Sequence, residues 1–391
     1  MDFELSETQQ VIARSAADVL EGSAPASGAA GWPDPAGQPG YDAAAWQGMA
    51  KAGLLALTLP VWLDGDGLGM LEAGVLITEI GRRAVPVPGL ATIALGILPV
   101  VRWGSQNLQA RLLAGVGSGE RILTAALREP SAGMAAKPTT VVTLTGGPSG
   151  SGSWGTVSGT KIGVPYAEQA SWILVPARLE AGGRAVVVLD RTAAGISLQR
   201  TPAASGDVPE YTVVLAEVPV TGVLGIGERG AAQAGAAVDD LYQLAAAGAA
   251  AAADGAVAGA LALTTSYLAT REQFGRPLAT FQAVAQQIAE VYIASRTLHL
   301  AALSACWRLA TGRDATDDAD IAAYWLAQEA PAALRSCHHL HGGIGLDVSY
   351  PLHRYSSMIS DLARFVGGAD DRLDRIDQGS AGTGARRCSS S

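Results

Sequence analysis

Beyond Gly230 the chain falls into four stretches of helical periodicity, and no other feature restricts its fold as much. They run from about Ala232 to Ala269, Phe281 to Thr311, Ala319 to His341 and Tyr350 to Ile376. Isolated helices are marginal in water, so segments this long must bury faces on one another, which predicts a four-helix bundle. The first holds the most apolar run of the chain, Leu244 to Leu263, mainly alanine and glycine and interrupted by Asp254. Alanine is too weakly hydrophobic to insert well into lipid, so this run reads as a buried helix of a soluble bundle rather than a membrane span.

The texture ahead of the bundle is different. Ser6 with Gln9 three residues on reads as a helix start, followed by helical spacing through Leu20. Further helices are expected over Ala43–Ala52, Leu71–Arg82 and Asn107–Gly115. After about Glu120 come short β-branched runs: Val141–Leu144, Thr156–Ser158, Ser171–Val175, Ala185–Leu189 and Tyr211–Leu215. Gly, Pro and Asp punctuate them, which predicts an antiparallel β domain. The resulting plan is an α+β chain: helical domain 1–120, middle β domain 121–228, bundle 229–378 and a disordered tail 379–391.

Composition bears on partners and compartment. A formal net charge of −9 without a basic block argues against nucleic acid or an anionic membrane as the main partner. Only 16% of residues are charged, against about 25% in ordinary soluble domains, so the surface is thinly charged. Cys306, Cys337 and Cys388 are too few and too far apart for a zinc site or a disulfide framework. The opening residues lack the basic and apolar regions of a signal peptide, and a reduced, cytoplasmic setting is expected.

Two motifs carry chemistry. In Arg271-Glu272-Gln273-Phe274-Gly275-Arg276-Pro277, followed by Phe281-Gln282, a helix is expected to end near Phe274 with Gly275 after it. Thr280 would cap the next helix and Gln282 enter its first turn. A guanidinium and a carboxamide on one side of a turn suit a pyrophosphate. The plainer reading is a helical hairpin with a local salt bridge. The second motif is Cys337-His338-His339-Leu340-His341-Gly342-Gly343-Ile344-Gly345, with Tyr350-Pro351 after it. Three histidines invite a metal, but adjacent ones on a helix cannot easily share it, and no carboxylate or second thiol stands at ligand spacing. A glycine-capped helix end is the bland alternative.

Together these strings resemble the acyl-CoA dehydrogenase family over about residues 1–376. The resemblance implies FAD, with Arg271, Phe274 and Gln282 at the pyrophosphate and adenosine of a neighbouring subunit's cofactor. It also implies that His339, where the family often has glutamine, and Gly342 and Gly343 approach the nucleotide. The family's catalytic glutamate is missing. Its usual position matches Val366, and its alternative position in the first long helix matches Tyr242; neither is a serviceable base. The flavin-ring segment is degenerate too, reading Arg128-Glu129-Pro130-Ser131-Ala132-Gly133-Met134-Ala135, and Gly159-Thr160-Lys161 runs on to Pro165.

An intact nucleotide half beside a dismantled ring half resembles the non-catalytic-type subunits of actinobacterial α2β2 steroid side-chain acyl-CoA dehydrogenases. That implies a homologous catalytic partner subunit, an acyl-CoA substrate and an electron-transfer flavoprotein as acceptor. Two alternatives stay open: a self-sufficient homotetramer with Asp239 or Asp240 as a displaced base, and a flavin-free scaffold subunit.

Overall fold

The computed structural model describes residues 4–21, 40–130, 134, 137–145, 154–201, 208–226 and 233–377. Helices α1 (Glu7–Glu21), α2 (Ala43–Lys51), α3 (Met70–Arg82), α4 (Leu98–Trp103) and α5 (Gln106–Leu113) open the chain. Ser6 starts α1 as its sequence suggests. Its backbone N–H donates to Gln9 Oε1 (3.0 Å) while its hydroxyl accepts from the Gln9 N–H (3.3 Å). The helical run 90–103 has no counterpart in the expected plan: Leu90–Ile97 is π-helical and runs directly into α4. Every residue from Ala91 to Val100 is buried, so no amphipathic stripe marks it.

The middle sheet holds β1 (Leu123–Ala125), β2 (Val141–Leu144), β3 (Gly155–Pro165), β4 (Trp172–Leu179), β5 (Arg184–Asp190), β6 (Ile196–Thr201), β7 (Glu210–Pro219) and β8 (Gly222–Leu224). Its order is β6-β7-β3-β2-β4-β5-β8, with β1 beside β4. Most pairs are antiparallel, but β4 runs parallel to both β1 and β2, so the sheet is mixed rather than purely antiparallel. The reason is topological. Strand β3 folds back on the far side of β2, and the chain then returns to β2's open edge in β2's own direction. Short β-branched runs specify strands, not the direction in which they are laid down.

The C-terminal part consists of α6 (Ala234–Thr270), α7 (Gln282–Ala310), α8 (Thr316–His341) and α9 (Leu352–Phe365), with a further helical stretch over 369–377. The last expected helix is therefore broken. Gly367 and Gly368 take φ of 97° and 88°, which no helix accommodates. Helix α6 is long and apolar enough to cross a membrane, yet 89% of its most apolar window is buried inside the fold. Small residues let it cross α3 backbone to backbone. A Cβ on Gly255 would lie 1.9 Å from the Thr78 carbonyl oxygen, and one on Gly81 2.0 Å from that of Ala252. The segment 379–391 lies outside the described residues.

Candidate functional site

The first motif folds differently from its expected helix end. Helix α6 stops at Thr270, and Arg271 follows as its C-cap, its N–H donating to the Tyr267 carbonyl at 2.8 Å. Strands β9 (Glu272–Gln273) and β10 (Arg276–Pro277) then pair as a hairpin around Phe274 and Gly275. Both turn residues have positive φ, 54° and 77°, as a two-residue hairpin turn demands. Glycine does this freely; a phenylalanine there is strained. Nor does Thr280 cap α7. Its hydroxyl donates to the Pro277 carbonyl at 2.7 Å, and Phe281 takes the N-cap position with Gln282 the first helical residue. Arg271, Phe274 and Gln282 all face solvent, Phe274 being 93% exposed, and Arg271 forms no ion pair among the described residues. Phe274 meets Phe281 edge to face at 6.2 Å, and the Arg276 guanidinium stands 4.1 Å over the Phe281 ring.

The second motif ends α8 at His341. Gly342 follows with φ 62° and ψ −141°, a conformation that side chains with a Cβ rarely take. A Cβ built on Gly342 or on Gly343 meets nothing within 4 Å, so the backbone there borders open space. The histidines diverge. His338 Nε2 is 2.5 Å from Ser356 Oγ, His339 is exposed, and His341 is buried. His341 Nδ1 is 2.8 Å from the Cys337 carbonyl, and its Nε2 lies 3.0 Å from the Tyr350 hydroxyl. Burial holds the His341 pKa below its ordinary value, favouring a neutral ring that donates from Nδ1 and accepts from Tyr350. Among the described residues no group of three His, Cys, Asp or Glu converges as a metal site would require. Tyr267, one turn before Arg271, stacks on His341 with centroids 4.7 Å apart, and its hydroxyl donates to the His341 carbonyl at 3.4 Å. The two motifs thus share one platform, a relation that spacing along the chain did not disclose.

The segment that matches the family's flavin-ring stretch is organised around a buried ion pair. Glu129 is 1% exposed and accepts from Lys161 Nζ (2.7 Å) and from the backbone and hydroxyls of Thr139 and Thr140. Burial alone would raise its pKa, but the Lys161 and Thr140 hydrogen bonds dominate and bring it down to about 2. Three charged side chains converge on Gly163. A Cβ there would stand 3.2 Å from Arg128, 3.5 Å from Glu210 and 3.8 Å from Arg364. Arg364 grips Glu210 with two bonds of 2.7 and 2.9 Å and Asp361 with one of 2.8 Å, which raises its pKa. Beside this network is an apolar cavity of about 100 Å³, lined among others by Ile77, Val87, Pro165, Leu362 and Phe365. Residues Ser131 to Gly133 and Ala135 lie outside the described residues.

The two positions that match the family's glutamate are both shut. Val366 is fully buried, and its carbonyl accepts from Arg372 Nε at 2.6 Å. Tyr242 is 7% exposed, its hydroxyl has no partner among the described residues, and burial with Glu129 nearby raises its pKa away from that of a base. Asp240 accepts from Arg102 (2.6 Å) and Trp103 Nε1 (2.7 Å), while Asp239 pairs with Arg184 at 2.7 Å. Both carboxylates join elements together.

Comparison with known proteins decides the family. Residues 6–120 match the acyl-CoA dehydrogenase N-terminal domain and 237–376 the C-terminal domain. The acyl-CoA dehydrogenase FadE28 of Mycobacterium tuberculosis is 44% identical over 376 residues, 96% of this chain and 98% of that one. This chain belongs to the acyl-CoA dehydrogenase family. Among solved structures, the Tcur3481-Tcur3483 steroid ACAD G363A variant superposes with TM-score 0.86 at 32% identity, covering 97% of this chain and 99% of that one. The ChsE4-ChsE5 complex from Mycobacterium tuberculosis follows at TM-score 0.83 and 26% identity, with the same coverage. The sheet between the two matched domains completes the family fold, and the family supports a flavin-dependent oxidoreductase.

Proposed function

We propose that this chain is one subunit of a heteromeric, FAD-dependent acyl-CoA dehydrogenase and supplies the nucleotide half of a shared site. The observation that carries the reading is an asymmetry. Arg271, Phe274, Gln282, His339, Gly342 and Gly343 are all exposed, and Arg271 and Gly342 adjoin the Tyr267–His341 platform in sequence, whereas Arg128, Glu210 and Arg364 crowd Gly163. The open backbone at Gly342 and Gly343 and the unpaired Arg271 fit a dinucleotide; the charged cluster at Gly163 does not fit an isoalloxazine.

In this reading Arg271 donates to the pyrophosphate, Gln282 and His339 hydrogen-bond the nucleotide, and Phe274 packs beneath it. FAD held there would supply a hydride acceptor for the β-carbon of a CoA thioester, whose α-proton requires a base. This chain offers no base for that proton at Val366 or Tyr242, so a homologous partner supplies the glutamate and the ring pocket, as an α2β2 assembly. Substrate class follows from resemblance. The cavity beside Gly163, about 100 Å³, is well below the range of small-molecule pockets, so in this reading the partner's ring pocket houses the steroid side-chain CoA thioester. Similarity to proteins described as a steroid ACAD and as a two-component complex supports both points. An electron-transfer flavoprotein completes the scheme as acceptor. The displaced-base reading gains nothing, because Asp239 and Asp240 are held in ion pairs.

The test is to purify the chain alone and with its homologous partner, and to measure flavin content and turnover with a steroid side-chain CoA thioester. Flavin and activity are expected only in the co-purified complex. FAD-replete, active protein from this chain alone would overturn the reading, as would a colourless active complex.

A further inference from the structure

A second cleft, mostly apolar with a few charged side chains in its wall, opens between α3, α6 and α7, and it shares no lining residue with the nucleotide motifs. Its volume of about 600 Å³ lies within the range of small-molecule pockets. In its wall stands Asp254, the charge that interrupts the alanine-rich run of α6, only 4% exposed. Its Oδ2 lies 2.8 Å from His299 Nδ1. A buried carboxylate is unfavourable unless paired, and alanine would pack this helix equally well. Asp254 therefore has a local task, which is to fix the imidazole of His299. With Nδ1 engaged, Nε2 is the ring nitrogen left for a ligand.

Arg82 reaches the cleft from α3 and Arg296 from α7. Arg82 shares Glu79 with Arg83, at 3.1 and 2.6 Å, whereas Arg296 has no ion pair among the described residues. Three guanidiniums against Glu79 and Asp254 leave a surplus of one positive charge, which suits a monoanion better than a phosphate dianion. Ser295, 6% exposed, adds a hydroxyl, and Leu261 and Ile288 supply apolar wall. The frame is rigid where Arg82 leaves it. A Cβ on Gly259 would lie 2.2 Å from the Arg82 carbonyl oxygen, so α3 and α6 touch backbone to backbone there.

We propose that this cleft is a binding site for an amphipathic carboxylate. The carboxylate pairs with Arg296 and Arg82 and the apolar body lies against Leu261 and Ile288, with the Asp254–His299 pair forming part of the wall. The assignment rests on the cleft alone and holds whatever the chain's part in flavin binding.

The experiment is calorimetric titration of the protein, in the assembly in which it purifies, with decanoate, decan-1-ol and inorganic phosphate. Decanoate is expected to bind, with decan-1-ol and phosphate each weaker by about tenfold or more, the worth of one charge-assisted hydrogen bond. Arg296→Ala should weaken decanoate by a similar factor while leaving melting temperature and flavin content unchanged. His299→Gln is the conservative companion and should change decanoate binding less than Arg296→Ala does. Equal binding of acid and alcohol, tighter binding of phosphate, indifference to Arg296→Ala, or no binding of decanoate would each overturn the proposal.

Discussion

Tyr267 and His341 stack nearly face to face, 4.7 Å between centroids and 20° between planes, and so fasten the end of α6 to the end of α8. Neither residue is a nucleotide ligand in our reading. Their contact sets where Arg271 and the Gly342–Gly343 backbone stand relative to each other, because each lies within a turn of one of the two rings. A two-helix site needs such a fastener, since each helix alone could slide.

The fastener is sensitive to acid. Burial lowers the His341 pKa from its ordinary 6.5, and that of His338 as well. The unfolded chain therefore binds these protons more readily than the folded one, so stability is full above 6.5 and falls as pH drops below it. Melting temperature measured between pH 7.5 and 5.5 should decline with acidification. His341→Phe, which keeps the stack on Tyr267 but cannot take a proton, should flatten part of that decline; an unchanged slope would show that His341 does not contribute.

Gly343 and Arg271 probe the nucleotide itself. A Cβ at position 343 meets nothing within 4 Å beyond its chain neighbours among the described residues, so Gly343→Val should leave the fold intact while obstructing a ligand. Arg271→Ala removes a charge-assisted donor and should weaken FAD by about 1.5 to 3 kcal/mol. Flavin absorbance retained after gel filtration of the complex measures both. Full retention in either variant would remove that residue from the site.

Phe274 makes the sharpest contrast, because stability and function should move in opposite directions. A phenylalanine at φ 54° carries about 1 kcal/mol of backbone strain, and at 93% exposure it has little packing to offset it. Phe274→Gly should therefore hold or slightly raise the melting temperature of the isolated chain. The same change should lower flavin retention in the complex, since the ring that packs beneath the nucleotide is gone. A loss of stability without loss of flavin would show that the ring serves the hairpin only.

The long helices, five of the eight strands of the middle sheet and the family were legible from the sequence because each rests on local signals; β1, β6 and β8 were not. Alanine and glycine in α6 announced a buried helix, and Val141–Leu144 and Ala185–Leu189 announced strands. What stayed hidden is non-local or inverted. The π-helical Leu90–Ile97 is buried on all sides and so lost its period. The hairpin at Phe274 places a bulky residue where turn chemistry expects asparagine or glycine, so a helix end looked the better reading. The Tyr267–His341 contact spans 74 positions, and Arg364–Glu210 spans 154, distances at which no single-sequence pattern operates. Tyr267 carried one available signal: an aromatic one turn ahead of the Arg271 string.

The buried pair Glu129–Lys161 tests whether the ring half of the fold is structural. Both side chains are almost wholly buried, and Lys161 also donates to the Pro176 carbonyl at 2.8 Å, tying β3 to β4. Removing one partner strands the other charge, so Lys161→Met should destabilise by about 3 to 5 kcal/mol, whereas Glu129→Gln with Lys161→Met should recover much of that. The acid limb follows with its sign. Glu129 sits at about 2 against 4.5 when free, so its contribution is complete above 4.5 and is lost as pH falls toward 2. Urea unfolding at pH 7 and pH 3 should show the double variant losing less stability on acidification than the wild type. Equal losses would place the acid sensitivity of the sheet elsewhere.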